Sequence, residues 1–403
     1  MVDILKILYV DLGGVARYSC DKAAGRVLGW VELQNDVFLL VPKLMEETAR
    51  KEIRDICGFP EKIKVITLPF STQKHSSTLG IIYSYFLRVL FAPAVIFQKM
   101  PLLDIGYSNS PVLVDIVPIL LLKCFGKCRH WVLMMDSIVP PSSKRSGSSF
   151  INKITYWESR FVVFLASHFA TAVFTVNPVL KREIIRLGMR NDKILLSKNG
   201  LFMNRIDKVT ASSGGKKYDA AYMGRITENK GIFDLISVWA GIVMKDSSRK
   251  LAVMGTGRSD VVELFTDALK ENNLEKNVEY FGYVSGDKKY EIFKSSKVFI
   301  FLSKVNADES WGISLMEALA CGLPALTYDL DIYNHVYADG ILQKSKIGDV
   351  RAVIEKMTFL LDNEKAWKIA SEKGTLFAKQ YNWFTISQED LEQMRLMIKK
   401  NYG

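Results

Sequence analysis

The fold is decided by residues 218–254, which read YDAAYMGRITENKGIFDLISVWAGIVMKDSSRKLAVM. Ala220–Met223 is a short apolar run that ends at a glycine, as expected for a buried strand. Ile232–Val243 has its apolar residues at helical spacing, and Lys250–Met254 is again mostly apolar. A strand, a helix and a second strand in this order predict a parallel β-α-β unit.

The same alternation of strands and helices continues along the C-terminal half. Further helices are predicted at Val261–Asn272, Lys288–Ser295 and Ile313–Ala320, and further strands at Val278–Phe281, Val298–Leu302 and Pro324–Thr327. This regularity predicts a doubly wound α/β domain, in which ligands bind at the carboxyl ends of the strands.

The N-terminal half shows the same pattern less regularly. A strand at Ile4–Val10, a turn at Gly13–Gly14, a helix at Arg17–Leu28 and a strand at Val37–Val41 form one β-α-β unit. Further strands are predicted at Lys64–Leu68, Trp131–Met135 and Ala172–Val176. Because 403 residues exceed what one hydrophobic core usually supports, we predict two Rossmann-like domains that face a central cleft.

Net charge is concentrated in the first half of the chain. Residues 1–200 contain 26 Lys and Arg against 16 Asp and Glu, which is +10, whereas the whole chain is +11. Such an excess suits an anionic lipid surface or a phosphorylated acceptor, and it also suits solubility alone. No run of basic residues and no nucleic-acid-binding motif is present, so we expect no nucleic acid partner.

The five cysteines are scattered and form no CxxC pair, which indicates a reducing compartment. Cys124 and Cys128, four residues apart, are expected to share a helix face through packing. The N-terminus is too charged for a signal peptide. We therefore expect a cytoplasmic protein.

Two apolar stretches approach the length of a membrane span. Leu79–Phe97 contains Arg88 and Pro93, and the shorter Val112–Leu122 contains Asp115. The charges and the proline oppose insertion, so both stretches are interpreted as helices that cover a sheet. They fit a face resting on the cytoplasmic side of a membrane and fit plain core helices about equally well.

The most specific signal is the segment ESWGISLMEALACGLP, residues 309–324. Glu309 lies in a loop where it can accept hydrogen bonds from sugar hydroxyls, and Glu317 lies in the following helix where it can accept from a ribose diol. The backbone N–H groups of Trp311, Gly312 and Ile313 at the helix start can bind an anion. An ordinary helix with an acidic residue near its start explains the same pattern.

The second signal is the turn after the first strand of this domain. Gly224 ends the strand, and two cations, Arg225 and Lys230, flank the turn before the next helix. An arginine that grips phosphate oxygens bidentately and a lysine that adds a point charge suit a diphosphate. A solvated basic loop is the alternative.

Taken together, these motifs resemble family 4 glycosyltransferases of the GT-B fold. The resemblance is close over Tyr218–Asp329 and weaker over the N-terminal half. It implies that Glu309 contacts the donor sugar, that Glu317 contacts the ribose, and that Arg225 and Lys230 bind the diphosphate. It also implies a donor-binding glycine loop at Gly13 and Gly14 and a final helix that returns to the N-terminal domain.

On this basis we predict three parts: an acceptor-binding domain at 1–205, a nucleotide-sugar-binding domain at 206–380, and a returning helix at 381–403. The resemblance implies retention of anomeric configuration, a hexose-type donor, no metal and no cofactor besides the nucleotide sugar. The acceptor is expected to be a glycan or a lipid-linked intermediate of polysaccharide or glycolipid synthesis.

The chain departs from the family pattern at three places. Met135-Asp136 replaces a His-Asp pair, so a histidine beside the donor sugar is missing and Asp136 is the best polar candidate of the N-terminal domain. Asp136 serves equally well as a cap of the next element. Asn177 stands where serine is common, and Leu201-Phe202 replaces Val-Asp.

Two other functions fit the same fold. A nucleotide-sugar epimerase would need histidines around the sugar, and the four histidines form no cluster. A non-catalytic scaffold would be expected to have lost Arg225, Lys230, Glu309 or Glu317, and all four are present. A nicotinamide dehydrogenase is disfavoured because no GxGxxG follows the first strand.

Overall fold

A computed structural model describes residues 4–13, 21–57, 60–69, 78–141, 149–211, 215–306 and 309–400. The chain divides into two compact units: unit 1 comprises 1–200 and 383–403, and unit 2 comprises 201–382. Each unit is an α/β layer structure around a parallel sheet. Among the described helices, none is long and apolar enough to cross a bilayer.

Unit 1 alternates strands and helices along its first 200 residues. The described strands are β1 (Lys6–Val10), β2 (Asp36–Val41), β3 (Ile63–Thr67), β4 (Leu103–Ser108), β5 (Cys128–Met134), β6 (Ala172–Thr175) and β7 (Ile194–Leu196). The described helices are α1 (Asp21–Glu32), α2 (Glu46–Ile56), α3 (Thr78–Lys99), α4 (Leu113–Cys124), α5 (Ser149–Phe169) and α6 (Pro178–Arg186).

Unit 2 repeats this alternation. Its described strands are β8 (Tyr218–Met223), β9 (Leu251–Met254), β10 (Val278–Tyr280), β11 (Ser296–Phe301), β12 (Ala325–Tyr328) and β13 (Leu342–Ser345). Its described helices are α7 (Met203–Lys208), α8 (Ile232–Lys245), α9 (Ser259–Glu271), α10 (Asp287–Lys294), α11 (Ile313–Ala320), α12 (Asp331–Val336), α13 (Val350–Asp362) and α14 (Glu364–Lys379). One more helix, α15 (Trp383–Lys400), belongs to unit 1.

Both sheets have a topological switch point, where the order of strands reverses. In the described part of unit 1 the order is β3-β2-β1-β4-β5-β6-β7, and in unit 2 it is β10-β9-β8-β11-β12-β13. In unit 1 the strands after β1 are added toward one edge of the sheet, and the strands after β4 are added toward the other edge. In unit 2 the same reversal occurs between β8 and β11. A crevice opens at the carboxyl ends of the strands at such a point, and it is where ligands bind in open α/β sheets.

Helix α15 is attached to unit 1 through small residues of α1. The amide of Gly29 donates to Ser387 Oγ at 2.9 Å, and a Cβ at Gly29 would lie 2.2 Å from that oxygen. Buried Arg26 donates to Asp390 Oδ2 at 2.9 Å. The guanidinium also stacks over the Trp383 ring, 5.3 Å from its centroid. A close backbone approach and a buried ion pair therefore hold α15 in place.

One sequence expectation is wrong, and one strand was missed. Cys124 and Cys128 share no helix, because α4 ends at Cys124 and β5 begins at Cys128. Strand β4 was not predicted, although it lies at the centre of its sheet between β1 and β5. Its sequence, LDIGYS, contains a charged residue and a glycine that interrupt the apolar run. The predicted helix at Ile313–Ala320 is confirmed as α11, with the same bounds.

Candidate functional site

The candidate site of unit 2 lies at its switch point. Lys230 follows β8 in a short 3-10 turn at Glu228–Lys230, and Glu309 follows the neighbouring strand β11. The Lys230 ammonium donates to Glu309 Oε1, and both side chains are buried. The ammonium also lies 5.5 Å from the centroid of the Phe301 ring. The fold thus brings together two oppositely charged residues that the sequence analysis singled out in separate motifs.

The turn that carries Lys230 is held against the loop after β11. Gly231 has a φ of +70°, and a Cβ there would lie 2.0 Å from the carbonyl oxygen of Leu302. The amide of Lys304 donates to the carbonyl of Asn229 at 2.8 Å. Glycine is required here both for the left-handed backbone and for the close approach of the two loops.

Three buried tyrosines lie close enough to feel the charge of the Glu309 carboxylate. Burial, and then the negative charge of Glu309, raise the pKa values of Tyr222, Tyr333 and Tyr337 well above the usual range. The three phenols therefore stay neutral. Tyr337 donates to the carbonyls of Trp311 and Gly312, each at 3.1 Å. Neutral aromatic groups with polar tips are thus the electrostatic neighbours of Glu309.

The segment 311–313 forms the start of α11. Gly312 adopts a left-handed conformation with a φ of +73° and precedes Ile313, the first helical residue. Trp311 is buried and packs edge-on against Tyr381, with ring centroids 5.5 Å apart. The first amides of a helix have no intrahelical acceptors, so the N–H groups at the start of α11 can donate to a bound anion. They follow directly after the loop that carries Glu309.

Glu317, on α11, has a different pair of partners. Its Oε1 accepts from Lys289 Nζ at 2.6 Å and from the Tyr290 hydroxyl at 3.0 Å. All three side chains are buried. Sequence reasoning missed Lys289 and Tyr290, since nothing local in α10 distinguishes them from an ordinary amphipathic helix and they lie 28 and 27 residues from Glu317.

Glycine loops pack closely at the same sheet edge. A Cβ at Gly255 would lie 1.8 Å from the carbonyl oxygen of Gly224. The amide of Gly255 donates to the carbonyl of Gly282 at 2.7 Å. Arg225, directly after Gly224, is exposed, and its backbone carbonyl accepts from the Tyr222 hydroxyl at 2.8 Å. Its cationic side chain is therefore available to solvent at the strand end that leads to Lys230.

The N-terminal candidates lie in unit 1. The amides of Gly13 and Leu12 donate to Asp115 Oδ1, at 3.0 and 2.7 Å. Burial and the charge of Asp11 raise the pKa of Asp115 to about 8. Gly14 lies outside the described residues. This hydrogen-bonded turn occupies the switch point between β1 and β4, and sequence reasoning missed Asp115 as its anchor.

Asp136 and Asn177 follow neighbouring strands of unit 1. Asp136 is half-buried two residues after β5, and Ser137 Oγ donates to its Oδ1 at 3.3 Å. Asn177 follows β6 and is the N-cap of α6, because its Oδ1 accepts from the Leu180 amide at 2.7 Å. One atom of the Asn177 side chain, Oδ1, is therefore used to cap α6.

Within the residues that the structure describes, no cluster of three or more His, Cys, Asp or Glu side chains has the arrangement of a metal site. The described cysteines are the free thiols Cys57, Cys124, Cys128 and Cys321. Two buried lysine–glutamate pairs, Lys230–Glu309 and Lys289–Glu317, lie in unit 2.

Two Rossmann-like units with these switch points define the GT-B class of fold, as predicted. A solved structure of Anabaena HepE in complex with UDP and glucose is similar, with a TM-score of 0.73 over 97% of this chain and 99% of that chain at 16% identity. Residues 204–376 match the model of the family described as "Glycosyl transferases group 1". The predicted resemblance to family 4 glycosyltransferases is therefore confirmed.

Curated relatives match part of the chain. The O-antigen chain mannosyltransferase B of Escherichia coli is 22% identical over 255 residues, which is 61% of this chain and 65% of the relative. A phosphatidyl-myo-inositol mannosyltransferase of Mycobacterium leprae is 26% identical over 170 residues, which is 42% of this chain and 44% of the relative. The matched regions thus span less than two thirds of either relative.

Proposed function

We propose that this chain is a retaining glycosyltransferase that transfers a hexose from a nucleoside-diphosphate sugar to a glycan or lipid-linked acceptor. The observation that carries the proposal is the buried Lys230–Glu309 pair at the switch point of unit 2, beside the start of α11. A buried cation next to a carboxylate and helix-start amides suits a ligand that carries both phosphate and hydroxyl groups.

In this proposal the cations serve the leaving group. Arg225 binds diphosphate oxygens bidentately, and the Lys230 ammonium is shared between Glu309 and the phosphate next to the sugar. The bond between the anomeric carbon and the phosphate oxygen breaks, and its electrons remain on the nucleoside diphosphate. The two positive charges stabilise that developing charge, so the reaction needs no metal in this scheme.

The carboxylates orient the two sugars of the donor. Glu309 accepts from hydroxyls of the transferred hexose, while the amides near Gly312 and Ile313 donate to oxygens of the same ligand. Glu317 accepts from the ribose hydroxyls, with Lys289 and Tyr290 holding its carboxylate in place. The backbone N–H of Trp311 is a further donor of this turn, and Gly224 ends the strand that leads to Arg225.

The acceptor oxygen forms the new bond to the anomeric carbon and loses its proton. Retention requires that it attack from the face that the diphosphate leaves, so the leaving phosphate oxygen is the nearest base for this proton. We propose that unit 1 binds the acceptor, with Gly13, Asn177 and Asp136 as candidate substrate contacts. The names of the relatives support a hexose donor and an acceptor in polysaccharide or glycolipid synthesis.

A panel of nucleotide sugars tests the function. The purified chain is incubated with UDP- and GDP-hexoses, and nucleoside diphosphate release and thermal shift are measured for each. We expect one base to stabilise the protein and one donor to be turned over. Arg225→Ala should lose this activity, whereas Arg351→Ala, an exposed arginine of α13, should keep it.

Two outcomes contradict the proposal. Conversion of the donor into its epimer with no nucleotide release would identify the epimerase alternative. No stabilisation and no turnover with any donor would identify the non-catalytic scaffold.

A further inference from the structure

Helix α5 presents a row of large apolar side chains to solvent along its whole length. Its members are Phe150, Ile154, Trp157, Phe161 and Phe164, which recur at intervals of four and three residues and are all exposed. Trp157 is 68% exposed. The spacing places the row on one face of the helix, which extends about 20 Å from the first member to the last at 1.5 Å per residue.

Helix α3 presents a second row of exposed apolar side chains. Tyr83, Phe86, Leu90 and Phe97 are exposed at helical spacing, with Phe86 60% exposed. The two helices are neighbours in unit 1, because the Tyr85 hydroxyl of α3 bonds to Glu158 of α5. We call the two rows together the aromatic face.

An apolar groove extends the aromatic face onto α4. It has a volume of about 360 Å³ and is lined by Pro93, Ala94, Phe97, Pro118, Leu121, Leu122 and Phe125. At its edge the Lys127 ammonium lies 4.3 Å from the Phe97 ring centroid and donates to the Phe97 carbonyl at 2.8 Å. A cation thus borders apolar surface at the end of α3.

The exposed charged side chains of α3, α4 and α5 are basic. Within the ranges of these helices, the acidic residues are Asp115, which is fully buried, and Glu158, which accepts from the Leu113 amide. Lys153 and Arg160 lie on α5 at one edge of its row, Lys99 and Lys123 lie at the ends of α3 and α4, and Lys127 follows α4.

We infer that the aromatic face of unit 1 docks on an anionic lipid bilayer, with α3 and α5 lying in the interface. Aromatic side chains bordered by lysine and arginine, with no exposed carboxylate between them, complement a surface of acidic headgroups over apolar chains. Scattered exposed apolar residues are ordinary, but two exposed apolar rows on neighbouring helices, together with a groove that shares Phe97 with one of them, call for a partner. This inference extends the proposed function by naming the surface on which a lipid-linked acceptor is met.

Vesicle co-sedimentation of the full chain, with no donor or acceptor present, tests the inference. We expect pelleting with vesicles of phosphatidylcholine and phosphatidylglycerol, weaker pelleting with phosphatidylcholine alone, and release by salt, which screens exposed charges. Trp157→Ser with Phe161→Ser should reduce partitioning by at least about tenfold, because two inserted aromatic side chains are lost.

Matched controls lie in unit 2. Phe359→Ser and Leu376→Ser replace side chains that are 57% and 68% exposed outside the aromatic face, and they should bind vesicles like the wild type. Trp157→Phe should still pellet but should lose part of the fluorescence quenching caused by brominated lipid. Glu317→Ala should pellet normally, so failure of the donor-site assignment and failure of the docking surface are separable.

Three outcomes overturn the inference. The first is recovery of the chain in the supernatant with anionic vesicles at low salt. The second is a loss of pelleting in the unit 2 controls as large as in the α5 variants. The third is a concentration-dependent dimer in light scattering that the α5 double variant abolishes while vesicles bind neither protein, which would assign the face to a second copy of the chain.

Discussion

Lys230 and Glu309 form a buried ion pair although 79 residues separate them and they follow different strands. The pair exists because β8 and β11 are neighbours at the switch point of unit 2. An ion pair removed from water contributes little net stability, but loss of one partner leaves a buried charge without compensation.

We therefore expect Lys230→Met and Glu309→Gln each to lower the free energy of unfolding by about 3–5 kcal/mol. The double variant should regain most of this loss while remaining inactive. Urea denaturation of the four proteins measures the coupling. Additive losses in the double variant would contradict a direct interaction.

Gly231→Ala should destabilise unit 2 and displace Lys230. The left-handed backbone costs an alanine about 1–2 kcal/mol, and its Cβ would also collide with the Leu302 carbonyl. Gly126→Ala is the matched control, because Gly126 has a φ of +71° with nothing within 4 Å of the added Cβ. Thermal unfolding should show the larger loss for Gly231→Ala, and equal losses would show that the close approach is unimportant.

Donor turnover should depend on both carboxylate–lysine pairs. We expect Glu317→Ala and Lys230→Ala to reduce kcat/KM for the donor at least about tenfold, as for loss of a charged hydrogen bond to ligand. Circular dichroism should show that both variants remain folded. Glu355→Ala, at an exposed position of α13, is the control, and wild-type turnover in both site variants would refute their assignment.

Turnover is expected to survive a chelator. Arg225 and Lys230 supply positive charge for the diphosphate, and the same rate with and without EDTA is the predicted result. Loss of activity in EDTA, followed by rescue with manganese, would show that a metal takes part.

The α1–α15 contact should respond to pH through Asp390. Burial raises the pKa of Asp390 to about 6, although Arg26 and Ser197 both donate to it. The unfolded value is about 4, so between pH ~4 and ~6 the folded state binds more protons than the unfolded state. This group's contribution to the free energy of unfolding must therefore fall as pH rises through that window.

Asp390→Asn should lack this component. The difference in unfolding free energy between wild type and variant is measured by urea denaturation at several pH values across the window. Asp267→Asn, at an exposed carboxylate of α9, is the control. A difference that stays constant with pH would contradict the raised pKa.

The local sequence was sufficient to predict most elements of unit 2 and the residue types of the donor motif. Ala220–Met223 and Ile313–Ala320 carry strong periodicity between clear breaks, so β8 and α11 could be predicted from their own residues. Strand β4 could not, since Asp104 and Gly106 weaken its apolar run and its place between β1 and β5 depends on pairing with distant strands.

Tertiary structure alone decided which charges meet. The sequence by itself determined that Glu309, Arg225 and Lys230 lie near helix or strand ends and that Glu317 lies within a helix, because those positions follow from local periodicity. It did not determine that Lys230 pairs with Glu309, that Lys289 from α10 pairs with Glu317, or that α3 and α5 are neighbours. Each of these depends on strand order and helix packing. These bring together residues that are far apart along the chain, so nothing in the sequence around either residue indicates its partner.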